Sequence, residues 1–433
     1  MLSVLLFFSV YIAGFVLSLL ANPAISFVLY QAVYFFNPQQ RFWGSMIPDL
    51  SYSFFVSLLI IFSTFVTYRK HQAANKLFSA PPLRWAYAYI LIYTLIGFFA
   101  VYPERHWLSV ENFTKLIVII SLAYKLIDTS KKLDWAFWGY LFGSWYISFL
   151  AWQTGRNMAG RVEGIGTVDS PDSNGIACAI APAIVISFYY FWYAKSWITR
   201  ALFAIAGIFI ANGLILINSR ASFLAVAVSM SMFMFYMYFA STKRKYQRSV
   251  AVLLTAFGLA GALSIMDEAF IERMYTIKSQ DLEESSKHET GSTRVFFWLA
   301  AIEVAKDHPL GAGMQSFQYF SPTYIPEHLA IAGKTKSVHS SWFEVLTETG
   351  FLGITIYFFM LLSSIRVIRK CMAKFKVDGD VENYYKMIML QSAFIAYLIA
   401  ASFMDRSRAE ILFWFIVFSA CVYNIYILKN DAK

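Results

Sequence analysis

Apolar runs of membrane-crossing length divide the chain, and the short turns between them carry most of its lysines and arginines. About 20 apolar residues cover the hydrocarbon of a bilayer as a helix. Such runs fall near 2–20, 51–67, 84–102, 112–127, 134–151, 175–193, 198–216, 221–240, 249–266, 347–369, 383–404 and 409–427. Hydrocarbon offers no water to the backbone, so runs of this length predict helices. A further stretch, Pro23 to Phe36, is too short to span comfortably. Pro23 in front and Asn37-Pro38 behind predict a re-entrant or interfacial hairpin. The expected fold class is an all-α polytopic membrane protein of about twelve transmembrane helices. Nine lie in 1–266 and three in 347–433, on either side of one large helical loop at 267–346.

Composition agrees. Apolar residues make up 58% and charged residues only 14%, too few charges for a soluble surface but enough for a lipid-facing one. The net charge of +10 has a simple source in the loops, and no basic stripe interleaved with aromatics occurs in a polar segment, so nucleic-acid binding is rejected. Cys178, Cys371 and Cys421 stand singly, without the spacing of a disulfide framework or a zinc site. The N-terminus lacks a basic n-region and a cleavage site, and reads as a retained helix.

Starting with the N-terminus inside and leaving 23–36 uncounted, five basic clusters fall on the cytoplasmic side. They are Arg69/Lys70/Lys76/Arg84, Lys125/Lys131/Lys132, Lys195/Arg200, Lys243/Arg244/Lys245/Arg248 and Arg366/Arg369/Lys370/Lys374/Lys376. Both termini are then cytoplasmic, and 267–346 lies outside with His288, His308, His328 and His339. Within it, Asp281 to Ser292 reads as a mobile loop. Arg294 to Lys306 reads as an amphipathic helix along the membrane surface, ended by His308-Pro-Leu-Gly-Ala-Gly313. Gly311-Ala-Gly313 reads as a simple turn.

Three places carry residues suited to chemistry. In Ser337-Val-His339-Ser-Ser341-Trp-Phe-Glu344, Ser341 and Glu344 are spaced as a capping box, and Gly350 stands where a helix would end. His339 therefore precedes a helix N-terminus, which attracts anions. A neutral imidazole beside a bound anion suits a general base for a hydroxyl nucleophile, although a lone histidine there more often just extends the cap. Asn218-Ser219-Arg220 joins two spans with almost no loop, so Arg220 either snorkels or pairs with an anion. Arg294 opens a helix, a poor place for a cation on dipole grounds, unless it meets a ligand or an acid of the preceding loop. The third place is Gly155 to Gly166, with Arg156 and Arg161 among glycines, followed by Asp169 and Asp172. Its arginines suit a phosphate, and a plain glycine-rich connector is the alternative. Asp169 and Asp172 alone are weak grounds for a cation site. Asp405-Arg406-Ser-Arg408 reads as an ion pair in a short outer turn rather than a site.

Taken in order, the Gly/Arg segment, NSRASFLAV at 218–226, TRVFFWLAAIEVAKDHPLGAGMQSF at 293–317 and VHSSWFEVLTETGFLGI at 338–354 resemble the O-antigen ligase and O-antigen polymerase superfamily. The likeness is densest over about 160–354. Ser340 departs from it, since many relatives have Asn after the histidine. FNPQQRFWG at 36–44 also resembles a subgroup of O-glycosylation ligases. The resemblance implies a GT-C-like glycosyltransferase of a bacterial inner membrane with a periplasmic active site. The donor would be an undecaprenyl-diphosphate-linked glycan and the acceptor a sugar hydroxyl on lipid A–core. It implies no nucleotide sugar, with Arg220, Arg294 and His339 as functional positions and Arg161 beside them. No D-x-D or paired acidic motif stands out in a cytoplasmic loop, so neither a metal nor a cofactor is expected. The chemistry agrees, because a departing diphosphate gains charge that fixed cations stabilise, while one base without a carboxylate nucleophile gives inversion. O-antigen polymerase and protein O-oligosaccharyltransferase share that chemistry and differ in acceptor. A lipid-linked glycan flippase is the non-enzyme alternative, and it would place charges inside several spans, where few occur.

Overall fold

The computed structural model describes residues 2–68, 75–158, 160, 162–265, 293–325 and 335–429. Arg69, Lys70, Arg161, His288, His328 and the 281–292 stretch lie outside the described residues. The chain forms α1 (Leu2–Leu20), α2 (Ile25–Phe36), α3 (Tyr52–Val66), α4 (Pro81–Ile96), α5 (Pro103–Leu126), α6 (Ser130–Thr154), α7 (Ser173–Ile180) and α8 (Ala183–Tyr193). It continues through α9 (Trp197–Ile217), α10 (Arg220–Phe239), α11 (Gln247–Ile265), α12 (Thr293–Asp307), α13 (Ser316–Tyr324), α14 (Ser341–Asp378), α15 (Val381–Ala401) and α16 (Glu410–Tyr423). No strand occurs among the described residues. Each predicted apolar run lies on a helix, and nine helical segments among the described residues are long and apolar enough to cross a membrane. The chain is an all-helical polytopic membrane protein.

Local chemistry sets the helix starts. Prolines occupy the first positions of α4 and α5, where a missing N–H costs nothing. Asp172 and Asp380 cap α7 and α15 by accepting from the Gly175 and Asn383 N–H groups, at 2.9 and 3.0 Å.

The loops gather at two ends of the bundle. At the basic end Lys386 pairs with Asp134 at 2.9 Å, and Asn424 donates to Asn75 at 2.6 Å. There too, Lys429 donates to the Asp128 carbonyl at 2.6 Å, and Arg244 approaches Glu382 at 3.8 Å. At the opposite end, called the site end below, Tyr34 donates to Asp169 at 2.5 Å and the Val101 N–H to the Ala312 carbonyl at 2.9 Å. The alternation expected from the basic clusters is thus reproduced from Tyr52 onward.

Before Tyr52 the expectation fails. The Phe7 ring meets Tyr52 at 5.0 Å, Trp43 at 5.5 Å and Phe36 at 5.6 Å, all at the site end. From there α1 runs inward and α2 returns antiparallel to it, with the two in close contact at Gly14 and Leu29. The early turns of α1 and the Asn424–Lys429 end therefore sit at opposite ends of the bundle, against the reading that both termini share one side. Nor is 23–36 a surface hairpin, because α2 buries Phe27 and Phe35 against α16 and α6, and Leu29 against α1. The sidedness argument assumed that α1 starts inside; an α1–α2 hairpin starting outside leaves every later loop unchanged.

This hairpin has a direct check. The native cysteines are all buried, so an introduced one gives a clean signal. In cells, a membrane-impermeant maleimide should label Ser3→Cys and leave Lys245→Cys untouched. Equal protection of both would contradict the hairpin.

Candidate active site

The geometry grows from α14, which is one stretch of chain in two helical pieces. At Gly350 φ is +64° and ψ −168°, and the helix breaks and resumes at once. The predicted helix end is real, but a second helix follows without a loop. The break leaves carbonyl and N–H groups to be satisfied, and His308–Gly313 supplies partners. The Phe351 N–H donates to the Pro309 carbonyl at 3.0 Å, while the Ala312 and Gly313 N–H groups donate to Thr347 and Glu348 carbonyls at 3.1 and 3.0 Å. Gly311 at φ +86° lies so close that a Cβ would meet the Glu348 carbonyl. The segment read as a simple turn is a docking strip.

The predicted capping box does not form. Ser340 is the N-cap and makes no side-chain bond to the helix. Ser341 and Glu344 instead reach the turn at 402–409 between α15 and α16. The Ser341 hydroxyl donates to the Met404 carbonyl at 2.8 Å and accepts the Arg406 N–H at 2.9 Å. Glu344 accepts the Ser407 N–H at 3.0 Å. These donors are buried with the turn, so leaving them unmade would cost more than forgoing a solvent-facing cap.

Arg408 closes the assembly. Its guanidinium pairs with Glu348 and, at 3.4 Å, with Glu344, and lies 4.7 Å from the centre of the Tyr93 ring. Burial opposes its charge, but Glu348, Tyr93 and Glu344 outweigh burial and hold it well above the usual arginine range. Glu348 also accepts the Gln315 N–H at 2.8 Å, so the same carboxylate ties down the docking strip. Arg406 reaches the other way, to Asp172 and to the Asp169 carbonyl at 2.5 Å. That accounts for the two aspartates considered as a cation site: Asp172 is paired with Arg406, and Asp169 takes Tyr34, Ser170 and the Glu410 N–H. Among the described residues no three His, Cys, Asp or Glu side chains gather as metal ligands would.

His339 stands beside this turn with φ +51°, a left-handed backbone uncommon outside glycine. Its neighbours hold it there. The Ser340 N–H donates to Asp405 at 3.0 Å, and the Trp298 indole donates to the Val338 carbonyl at 3.2 Å. Burial, then the charge of Glu344, pushes the Asp405 carboxyl up to about 6, while His339 and the Ser340 N–H act against the rise. Arg294, from the first turn of α12, donates to the Phe403 carbonyl at 3.1 Å in the same turn. Hence two of the predicted positions converge on 402–409.

Arg220 begins α10. That helix packs along the length of α15, and Tyr385 near the start of α15 donates to the Tyr236 carbonyl near the end of α10 at 2.9 Å, so the two run antiparallel. From that contact both helices run about 24 Å to Arg220 and to Ala401, so the two ends reach the same height at the site end. Arg156 braces the adjoining turn by donating to the Ile215 and Leu216 carbonyls at 2.6 and 3.1 Å. The expected surface helix at 294–306 is α12, but it is not simply amphipathic. Phe297, Ala301 and Val304 are buried, while Val295 and Leu299 are exposed.

Residues 205–358 match the protein-family model described as O-Antigen ligase. Over this stretch, about a third of the chain, the sequence is similar to the O-antigen ligase family. No curated protein matches the chain. The O-antigen ligase stretch contains Arg220, Arg294, His339, Glu344 and Glu348, and stops short of the 402–409 turn. The family so described implies, in general terms, a ligase or glycosyltransferase activity on a lipid-linked glycan and a lipid acceptor.

Sequence reasoning undervalued that turn. The available signal was two arginines within Asp405–Arg408 and two glutamates, Glu344 and Glu348, one helical turn apart; of these arginines Arg408 meets both glutamates. Arg408→Met would leave both glutamates buried without a cation and should cost about 3–5 kcal/mol, read as a clear fall in Tm in detergent. Adding Glu344→Gln and Glu348→Gln should recover part of the loss. An unchanged Tm for Arg408→Met would show that the cluster does not hold the site together.

Proposed function

We propose that the chain is an O-antigen ligase, moving a glycan from undecaprenyl diphosphate to a sugar hydroxyl of lipid A–core at the periplasmic face of a bacterial inner membrane. The observation that carries this reading is the convergence of His339 and Arg294, both within the family-matched stretch, on the 402–409 turn beyond it. Arg220 reaches the same end of the bundle.

In the proposed reaction the acceptor hydroxyl attacks the anomeric carbon from the face opposite the diphosphate. The new C–O bond forms as the bond to the phosphate oxygen breaks, its electron pair leaving with the diphosphate, so configuration inverts. His339 takes the proton from the hydroxyl. Arg220 and Arg294 stabilise the charge growing on the diphosphate, with Arg161 as a third candidate cation. Fixed guanidinium groups serve where other glycosyl transfers use a metal, and no cofactor enters the scheme. Charge-bearing side chains grouped toward the ends of the bundle rather than along the spans favour transfer over translocation, the role of a flippase.

A reconstituted assay with purified protein and a polyprenyl-diphosphate donor tests this. Lipid A–core should accept the glycan, whereas turnover only with a second lipid-linked repeat unit would make the chain an O-antigen polymerase, and turnover only on protein a protein O-oligosaccharyltransferase. His339→Ala should lose about 10²–10⁴-fold in kcat with donor affinity nearly intact. Arg220→Lys keeps the charge but loses the two-pronged contact, and should lose some hundredfold with weaker donor binding. A near-native rate for His339→Ala would remove it as the base. Turnover should persist in excess EDTA, and loss restored by Mg²⁺ or Mn²⁺ would contradict the metal-free scheme.

A further inference from the structure

The docking strip continues into a second group of side chains at the site end that the transfer chemistry leaves unused. Two distant stretches, 100–106 and 312–319, are held together there. The Val101 N–H donates to the Ala312 carbonyl at 2.9 Å, and the Met314 N–H donates to His106 Nδ1 at 3.0 Å. His106 Nε2 in turn lies 2.9 Å from the Tyr93 carbonyl. A carbonyl only accepts and an N–H only donates, so the ring is fixed as the Nε2–H tautomer and pins the strip.

On this base stand Tyr102, Arg105, Gln315 and Tyr319. The Arg105 guanidinium lies 5.0 Å from the centre of the Tyr102 ring and donates to the Gln315 side chain at 2.8 Å. The Tyr102 and Tyr319 rings meet edge to face at 5.4 Å, and Tyr319 is 49% exposed. Gln315 holds φ +58°, a left-handed backbone that a glutamine takes only when its surroundings require it.

We propose that these four side chains bind the acceptor oligosaccharide. Ring faces suit the C–H faces of sugars, and a planar guanidinium beside a side-chain amide offers paired polar groups to neighbouring hydroxyls. A preset cluster spares the ligand much of the ordering cost. An interfacial aromatic belt needs exposed rings, but neither the Arg105–Gln315 bond nor the left-handed Gln315. The acceptor is favoured over the donor glycan by placement. Residues 335–340 run from α13 to the 402–409 turn. Gln318 donates to Ser337 at 2.9 Å at the α13 end, and Ser340 meets Asp405 at the other. His339 thus lies between this cluster and the turn that Arg294 contacts. That is where a base belongs if the acceptor arrives on one side and the diphosphate leaves on the other.

The inference rests on the transfer reaction proposed above, and binding can be read separately from turnover. The probe is deacylated lipid A–core oligosaccharide, titrated into the full-length protein in detergent and followed by calorimetry. Tyr319→Ala and Arg105→Ala should each weaken binding about tenfold and raise the acceptor KM alike, with donor KM unchanged. Tyr319→Phe keeps the ring and should bind as wild type, which controls for folding. Native affinity in both alanine variants, or a rise in donor KM instead of acceptor KM, overturns the assignment. Tyr319-dependent binding without turnover would uphold the sugar site and sink the transferase reading.

Discussion

A guanidinium buried between two carboxylates organises the site end of this bundle. Arg408 links α14, through Glu344 and Glu348, to the turn before α16, and lies over Tyr93 of α4. Each charge would be costly to bury alone, so the three are retained together or not at all. The consequences spread along the chain. With Glu344 fixed, the Ser407 N–H is satisfied and the turn keeps its course, which places Asp405 under Ser340 and the Phe403 carbonyl against Arg294. With Glu348 fixed, Gln315 is anchored and the glycine strip lies flat along the break at Gly350.

This arrangement sets a rigid frame beside the three residues proposed for the transfer. Arg406, Arg408, Asp169 and Asp172 are consumed by pairing, and they join the outer segment around 162–172, the last turn and α14 into one unit. His339, Arg294 and Arg220 stand at or near the edge of that unit. His339 holds a left-handed backbone conformation uncommon outside glycine, and local strain of this kind persists only where surrounding bonds over-determine it.

Much of this was legible in the residues. Apolar run length placed the helices, because backbone groups in hydrocarbon leave few alternatives to a helix. Motif order singled out Arg220, Arg294 and His339, and the structure brings Arg294 and His339 to one turn. What escaped was long-range. Ser341 and Glu344 have the spacing of a capping box, yet their partners lie beyond residue 403, and no local pattern shows that a distant turn outcompetes the cap. Gly311 and Gly313 looked like turn residues because their real constraint is the approach of another backbone. The direction of α1 was misread because the charge rule fixes the side of the basic loops but not whether 23–36 crosses before them, whereas the Phe7, Trp43 and Tyr52 ring cluster does.

The central claim is that the lipid-linked diphosphate binds at the end where Arg220, Arg294 and His339 lie. A cryo-electron microscopy structure of the protein with undecaprenyl diphosphate in a lipid nanodisc tests it most directly. The account predicts diphosphate density within hydrogen-bond distance of the Arg220 and Arg294 guanidiniums, with the His339 ring beside the space facing the anomeric position. Diphosphate bound at the basic end, or at the site end but away from both arginines, would contradict it.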